Sequence, residues 1–306
     1  MRTAARIVRK IIKLTDSLVN MTVLVIILLL VAVAAYAMWD SGLVYSAADA
    51  TQYAIYKPGE EDSISFSQMQ EINPEVIAWL TIYGTSIDYP VTQGTDNMKY
   101  VNTNAQGEYS LAGSIFLDHI NDPLFQDFNS ILYGHHMEKQ AMFGEIEAFG
   151  DKNFFDSHRY GSLYYAGKEH GLEIYAFLQT DAYDAGVFTP RMQGQDARRE
   201  YLRNLLEKSA HIRSIEVTAE DHILLLTTCS PSSTNGRDIL VAKITDELYD
   251  DLFIAEATSD KAEQVSVDQQ PSLWGRIPGW LKILFPVLLI LLAAVTVYIV
   301  RRKRKR

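Results

Sequence analysis

The chain has 306 residues, 48% hydrophobic and 22% charged, with 17 Gly, 9 Pro and a single Cys, which excludes a disordered, collagen-like or disulfide-framework protein. One Cys also excludes a metal site built from several thiolates. A formal net charge of −10 argues against a nucleic-acid partner, which calls for a basic face.

That charge is unevenly spread. Residues 1–18 carry Arg2, Arg6, Arg9, Lys10 and Lys13 against the lone acid Asp16, and residues 301–306 are all Lys or Arg. Setting these 11 aside leaves 17 of the 28 basic residues against 37 of the 38 acids, so the middle is near −20. No residue from Ser17 to Trp39 is charged. About 20 apolar residues cross a hydrocarbon core, so residues 19–39 are expected to form a transmembrane helix. A second span is expected over residues 283–300, with Lys282 able to snorkel and Trp274, Trp280 and Tyr298 suited to the interfaces. The basic clusters flank both spans on their outer-sequence sides, which puts both termini in the cytoplasm and the acidic middle outside. Ala35-Tyr36-Ala37 offers a rival reading as a signal-peptide cleavage site, but the uncharged stretch exceeds the roughly 7–15 residues of a secretory h-region. A retained anchor is the expectation.

The expected layout follows in chain order. A basic N-terminus (1–18) and the first span (19–39) lead to a stalk or N-terminal helix (40–66). The outside domain (67–256) comes next, then a polar linker (257–282), the second span (283–300) and a basic tail (301–306). Within the domain, β-type runs rich in Val, Ile, Leu, Tyr and Phe recur at 76–83, 86–92, 113–118, 130–135, 160–166, 172–180, 222–229 and 238–245. Eight such runs predict a closed or nearly closed barrel. Helical patterns are expected at 67–71, 142–149 and 196–211, the last with Tyr201, Leu202, Leu205 and Leu206 on one face. The class is mainly β with peripheral helices.

Cys229 ends the apolar run 222–229 and delivers a thiol to a strand rim. It reads either as a nucleophile or as a small inert core residue, and its exposure decides which. A thiol nucleophile needs a base and an oxyanion donor. Tyr133-Gly134-His135-His136 ends another run, with Gly permitting close backbone approach and strand alternation sending the two imidazoles to opposite sides. His119, His158, His170, His211 and His222 read as surface residues. Arg237 follows Asn235-Gly236 and opens the last run, so a hairpin would return it to the mouth where Cys229 sits. On spacing alone an ordinary solvated strand-end Arg is the favoured reading. There is no G-x-S-x-G elbow, phosphate-binding Gly loop, H-E-x-x-H or C-x-x-C, and neither a cofactor nor a metal is expected.

An ordered set of stretches is similar to the class B sortases, membrane-anchored cysteine transpeptidases of Gram-positive bacteria. They are Asn73-Pro74-Glu75-Val76-Ile77-Ala78-Trp79-Leu80, Ile87-Asp88-Tyr89-Pro90-Val91-Thr92-Gln93-Gly94 and Gly113-Ser114-Ile115-Phe116-Leu117-Asp118. Ile131-Leu132-Tyr133-Gly134-His135-His136-Met137, Ala141-Met142-Phe143-Gly144 and Leu226-Thr227-Thr228-Cys229 follow, then Arg237 with Val241-Ala242-Lys243-Ile244. The resemblance implies an eight-stranded sortase-type β-barrel with an N-terminal helical extension and a long helix before the cysteine strand. It implies Cys229 as nucleophile, His135 as general acid and base, and Arg237 as oxyanion donor. Asn97, Tyr100, Val101, Thr227 and Thr228 match positions that bind substrate.

The activity so implied is cleavage after Thr in the C-terminal sorting signal of a secreted protein, through a thioester, and transfer to a cell-wall precursor amine. The partners implied are sorting-motif proteins, a peptidoglycan precursor or pilin amine, and the lipid bilayer, at the cell membrane with the domain outside. Many class B members carry only the N-terminal anchor; two anchors are a habit of pilus-assembling class C sortases. That makes a pilin polymerase with a lysine acceptor the second reading. An Asp-Pro-aromatic lid is missing before the domain, and Asp122-Pro123-Leu124 lies within it. Residues 181–191, expected as another groove wall, match the family poorly. A non-transferring cysteine peptidase and an inert surface-binding module are the remaining alternatives.

Overall fold

Each of the eight β-type runs is a strand in the computed structural model, which describes residues 2–59 and 64–254. The expected linker, second span and basic tail lie outside those residues. The strands are β1 (Val76–Ile82), β2 (Asp88–Thr92), β3 (Ile115–Leu117), β4 (Asn129–Tyr133), β5 (Tyr160–Tyr165), β6 (Lys168–Asp181), β7 (Ser209–Ile212), β8 (His222–Cys229) and β9 (Gly236–Thr245). Hydrogen bonding runs β5-β1-β2-β3-β4-β8-β9-β6, and the β5–β6 hairpin joins the ends into an eight-stranded closed barrel. The β2–β3 and β4–β8 pairs are parallel and the other pairs antiparallel. Closure pairs the strands around the ring, and the part of β6 beyond its pairing with β5 keeps an edge that a further strand takes up.

Alternation along the strands sorts side chains into two packed layers. Leu224 and Leu226 of β8 join Leu240 and Ala242 of β9 and Leu132 of β4 in the barrel interior. Ile223, Leu225, Ile239, Val241 and Ile131 face the other way, and Tyr201, Leu202 and Leu205 of α4 (Gln195–Lys208) pack on them. Fully burying a Leu or Ile contributes on the order of 1.5–3 kcal/mol. The apolar stripe expected on the long helix is therefore what seats it on the barrel wall.

Helix α4 is shorter than the predicted 196–211. The chain leaves it at Ser209, whose hydroxyl bonds the Leu205 carbonyl at 2.7 Å, and residues Ser209–Ile212 become β7, paired with β6 outside the closed ring. A sheet edge with open hydrogen-bonding groups here outweighs helical periodicity. The predicted 142–149 helix is a 3-10 segment, Gly144–Gly150. A short helix absent from the sequence reading, α3 (Lys152–Ser157), starts on the Asp151 carboxylate, which accepts from the N–H groups of Asn153 and Phe154. His158, read as a surface residue, is buried, its ring stacked on Phe154 at 3.8 Å and on Phe253 at 4.7 Å.

At the N-terminus α1 (Arg2–Ala47) is a single helix of 46 residues, long and apolar enough to cross a membrane. Its Val19, Leu28, Leu29, Leu30 and Val33 are exposed, as suits a helix surrounded by lipid. The described residues of the expected stalk are largely helical. Asp49 caps a 3-10 segment, Ala50–Tyr56, and helix α2 (Ile64–Ile72) sends Phe66 and Met69 into the interior layer.

Candidate active site

The β8–β9 hairpin sets the first two groups. In its antiparallel register Leu226 faces Leu240, Thr227 faces Ile239, Thr228 faces Asp238, and Cys229 faces Arg237. The turn between them is held by Ser230 N–H donating to Gly236 O at 2.9 Å and Gly236 N–H donating to Ser233 O at 3.2 Å. Cys229 has the alternation phase of Ile223 and Leu225, so its sulfur stands on the outer wall of the barrel rather than in the interior. The thiol is free and exposed, which removes the inert-core reading.

The imidazole arrives on β4. This strand runs parallel to β8 with Tyr133 level with Thr227, and Gly134 N–H extends the ladder by donating to Thr227 O at 3.2 Å. A Cβ on Gly134 would lie 2.6 Å from the Phe143 ring and 2.7 Å from Ile115 Cδ1, so only glycine fits this close approach. His135 follows, its carbonyl accepting from Phe143 N–H at 3.0 Å and its Nε2 lying 2.8 Å from the Val101 carbonyl oxygen. His136 turns elsewhere and meets Glu147 at 3.1 Å.

Cys229, His135 and Arg237 line one cleft of about 360 Å³ together with Asn97, Val101, Phe116, Tyr133, Gly134, Thr227 and Thr228. Of the five residues expected to contact substrate, Asn97, Val101, Thr227 and Thr228 are in this wall. Tyr100 is not. It is buried, its hydroxyl donating to Glu75 at 2.6 Å and accepting from Asn73 Nδ2 at 2.9 Å. It pins the 3-10 segment Lys99–Val101 from behind and leaves Val101 to face the cleft. Residues 181–191, expected as a further wall, contribute nothing to the lining; Val187 and Phe188 pack instead into the layer under α4.

Two cleft residues were not anticipated. Phe116 and Tyr133 are cross-strand partners on β3 and β4, stacked with ring centroids 5.3 Å apart. Tyr133 sits two residues before His135, and that spacing along a strand was the available signal. Its hydroxyl donates to Asp118 Oδ2 at 3.0 Å, and Asn97 Nδ2 donates to the same oxygen at 2.8 Å. Burial, reinforced by the Asp118 charge and hydrogen bond, raises the Tyr133 hydroxyl far above the usual tyrosine range, so it stays a donor. The hydroxyls of Thr227 and Thr228 are buried with no hydrogen-bond partner among the described residues. A polar group left this way is costly until a ligand satisfies it.

The cleft thus combines an accessible thiol, an imidazole with one nitrogen committed, a guanidinium and unsatisfied polar groups in an aromatic wall. Those are the parts of nucleophilic acyl transfer. Comparison with known proteins agrees. A family model described as the sortase domain matches residues 80–245. Sortase B of Staphylococcus aureus is 31% identical over 195 residues, covering 63% of this chain and 80% of that protein. Sortase B from the type II pilus of Streptococcus pneumoniae is 49% identical with a TM-score of 0.53, covering 60% of this chain and 99% of that one. A Streptococcus pyogenes class B sortase involved in pilus biogenesis is 39% identical with a TM-score of 0.55, covering 59% of this chain and 98% of that one. The chain belongs to the sortase family, among its class B members, and is a cysteine transpeptidase.

Proposed function

We propose that this protein cuts a C-terminal sorting signal after Thr and joins the freed carbonyl to an amine outside the membrane. The observation that carries the reading is the sharing of one cleft by Cys229, His135 and Arg237. The Cys229 thiolate attacks the threonyl carbonyl carbon, forming a C–S bond and an oxyanion that the Arg237 guanidinium receives. Collapse breaks the C–N bond, and His135 gives its proton to the leaving amine, so a thioester remains. An incoming amine then loses a proton to His135 and attacks the thioester. The new C–N bond forms, the C–S bond breaks, and the thiolate returns. Asn97, Val101, Thr227 and Thr228, with Phe116 and Tyr133, hold the signal peptide.

The proposed topology is two-pass, with α1 as the first span, residues 283–300 as the second, and both termini in the cytoplasm. Anchoring holds the cleft near membrane-bound acceptors and raises their effective concentration, which favours transfer over hydrolysis. A cell-wall precursor amine is the acceptor in the first reading. A pilin lysine is the second, favoured by the 49% and 39% identities to two pilus sortases and by the double anchor. Mass spectrometry of a sorting peptide incubated with the protein tests the scheme. An enzyme-bound acyl mass on Cys229 and amide product only with added amine are expected, and turnover by Cys229→Ala refutes it. Supplying pilin and wall-precursor amines in competition separates the two acceptors.

A further inference from the structure

The contact between His135 and Val101 fixes the protonation of the ring. A carbonyl oxygen only accepts, so at 2.8 Å His135 Nε2 carries the hydrogen that is donated to Val101 O. In the neutral imidazole the other nitrogen, Nδ1, is then bare, and it alone is available to take a proton and give it back.

The Val101 carbonyl is itself held in place from the far side of the same loop. Tyr100 and Val101 turn their carbonyls towards Gly113, which has φ +62°, and a Cβ on Gly113 would lie 2.6 Å from Val101 O and 2.7 Å from Tyr100 O. Neighbouring hydrogen bonds lock the two segments together. Ser114 N–H donates to Tyr100 O at 3.0 Å and Ser114 Oγ to Thr103 O at 2.7 Å, while Gly113 N–H closes its own turn on Ser110 O at 3.1 Å. A methyl group at position 113 has nowhere to go except against the oxygen that His135 uses.

We propose that Gly113 is a positioning residue for the reaction: the bare Cα lets the Val101 carbonyl reach His135 Nε2 and so commits Nδ1 to proton transfer. The main chain of Val101 takes the orienting part that a carboxylate plays in other imidazole-assisted sites. The Val101 side chain lines the cleft as well, so the residue that holds the imidazole also touches the bound peptide. This inference rests on His135 being the acid and base of the proposed function.

The test compares Gly113→Ala with Gly107→Ala in the full-length protein. Gly107 lies on the same loop with φ +85° and open space around its Cα, so it carries the backbone strain without the clash. The first readout is the proton resonance of the His135 Nε2–H, assigned by its disappearance in His135→Gln. The second is the rate of acylation of Cys229 by a sorting peptide. We expect a resonance protected from exchange in the wild type and in Gly107→Ala, and its loss in Gly113→Ala with acylation slowed by ~10- to 100-fold, as for misplaced catalytic groups. A wild type without the protected resonance overturns the inference, even where Gly113→Ala does not fold. So does a Gly113→Ala protein that keeps it, or a Gly107→Ala protein that matches the loss. Acylation at the wild-type rate by His135→Gln, with the resonance present in the wild type, would instead overturn the role of His135 and leave the contact standing.

Discussion

Cys229 and Arg237 are direct cross-strand partners at the open end of the β8–β9 ladder. Facing residues in such a ladder have their Cβ atoms about 4.5–5.5 Å apart, so sheet register starts both side chains at the same cleft, which both line. Arg237 Nη1 donates to the Gly236 carbonyl at 3.0 Å, which leaves the remaining N–H groups for a ligand. Loss of a single oxyanion donor costs ~10²–10³ in rate. Arg237→Ala is therefore expected to slow acyl-enzyme formation by about that factor with the melting temperature nearly unchanged. Arg237→Lys should recover little, because a point ammonium lacks the planar fork. Stopped reactions followed by intact-protein mass spectrometry read both, and wild-type acylation by Arg237→Ala would remove the oxyanion role.

Asp118 is the buried hub of the cleft wall. One carboxylate oxygen accepts from Asn97 and Tyr133, and the other accepts from Ile120 N–H at 3.0 Å. Asp118→Asn turns an NH₂ group towards donors on one side or the other. The expected cost is about 1–3 kcal/mol of stability, since a buried donor is left unmatched. The loosened Asn97 and Tyr133 side chains should raise KM for the sorting peptide more than they lower kcat. Steady-state kinetics across peptide concentrations distinguish this from a uniform loss of active protein.

The barrel was legible because its strands are short apolar runs bounded by turn residues, as in His222–Cys229, whose interior is a continuous buried run. The hairpin return of Arg237 to Cys229 followed from the same pattern and from Asn235-Gly236 at the turn. What escaped was decided by tertiary contacts. Ser209–Ile212 continues a helical period, and only the open edge of β6 makes it a strand. His158 is buried by Phe253, a residue far along the chain. Tyr100 lies in the right segment for a groove wall, but its partners Glu75 and Asn73 turn it inward. Phe116 joins the cleft through its pairing with Tyr133, which strand alternation within either segment does not reveal.

Glu75 gives the stability of the fold a pH dependence. Partial burial pulls its carboxyl pKa upward, but hydrogen bonds from Lys99 and Tyr100 and the Lys99 charge outweigh that, and the net shift is downward from 4.5. A carboxyl lowered in the fold adds stability that is fully present above 4.5 and is lost as pH falls through the lower folded value. Glu75→Gln should therefore melt below the wild type at neutral pH, with the gap closing as the solution is acidified past that range. Thermal unfolding of both proteins across pH measures it, and a gap independent of pH would contradict the assignment. The partners Lys99 and Tyr100 immediately precede Val101, so the variant should also weaken peptide binding.

Tyr89 ties the N-terminal extension to the loop that follows His135. Its buried hydroxyl donates to the Ala48 carbonyl at 2.8 Å, just past the end of α1, and accepts from Met142 N–H at 3.1 Å. That loop is turned by Lys139, Gln140 and Met142 at φ 60°, 62° and 54°, a conformation side chains adopt at a cost, so it depends on outside support. Tyr89→Phe removes the hydroxyl and leaves both main-chain groups without their partner. About 1–3 kcal/mol of stability should be lost, and acylation should slow as the His135 loop relaxes. Tyr45 also touches this loop, donating to Glu138 at 3.3 Å with the Lys139 ammonium 4.4 Å from its ring centroid. That hydroxyl is exposed, water replaces what it loses, and Tyr45→Phe should stay within about 0.5 kcal/mol of the wild type. Denaturant unfolding of the two variants measures the contrast, and equal stabilities would mean that the buried hydroxyl does not couple the end of α1 to the His135 loop.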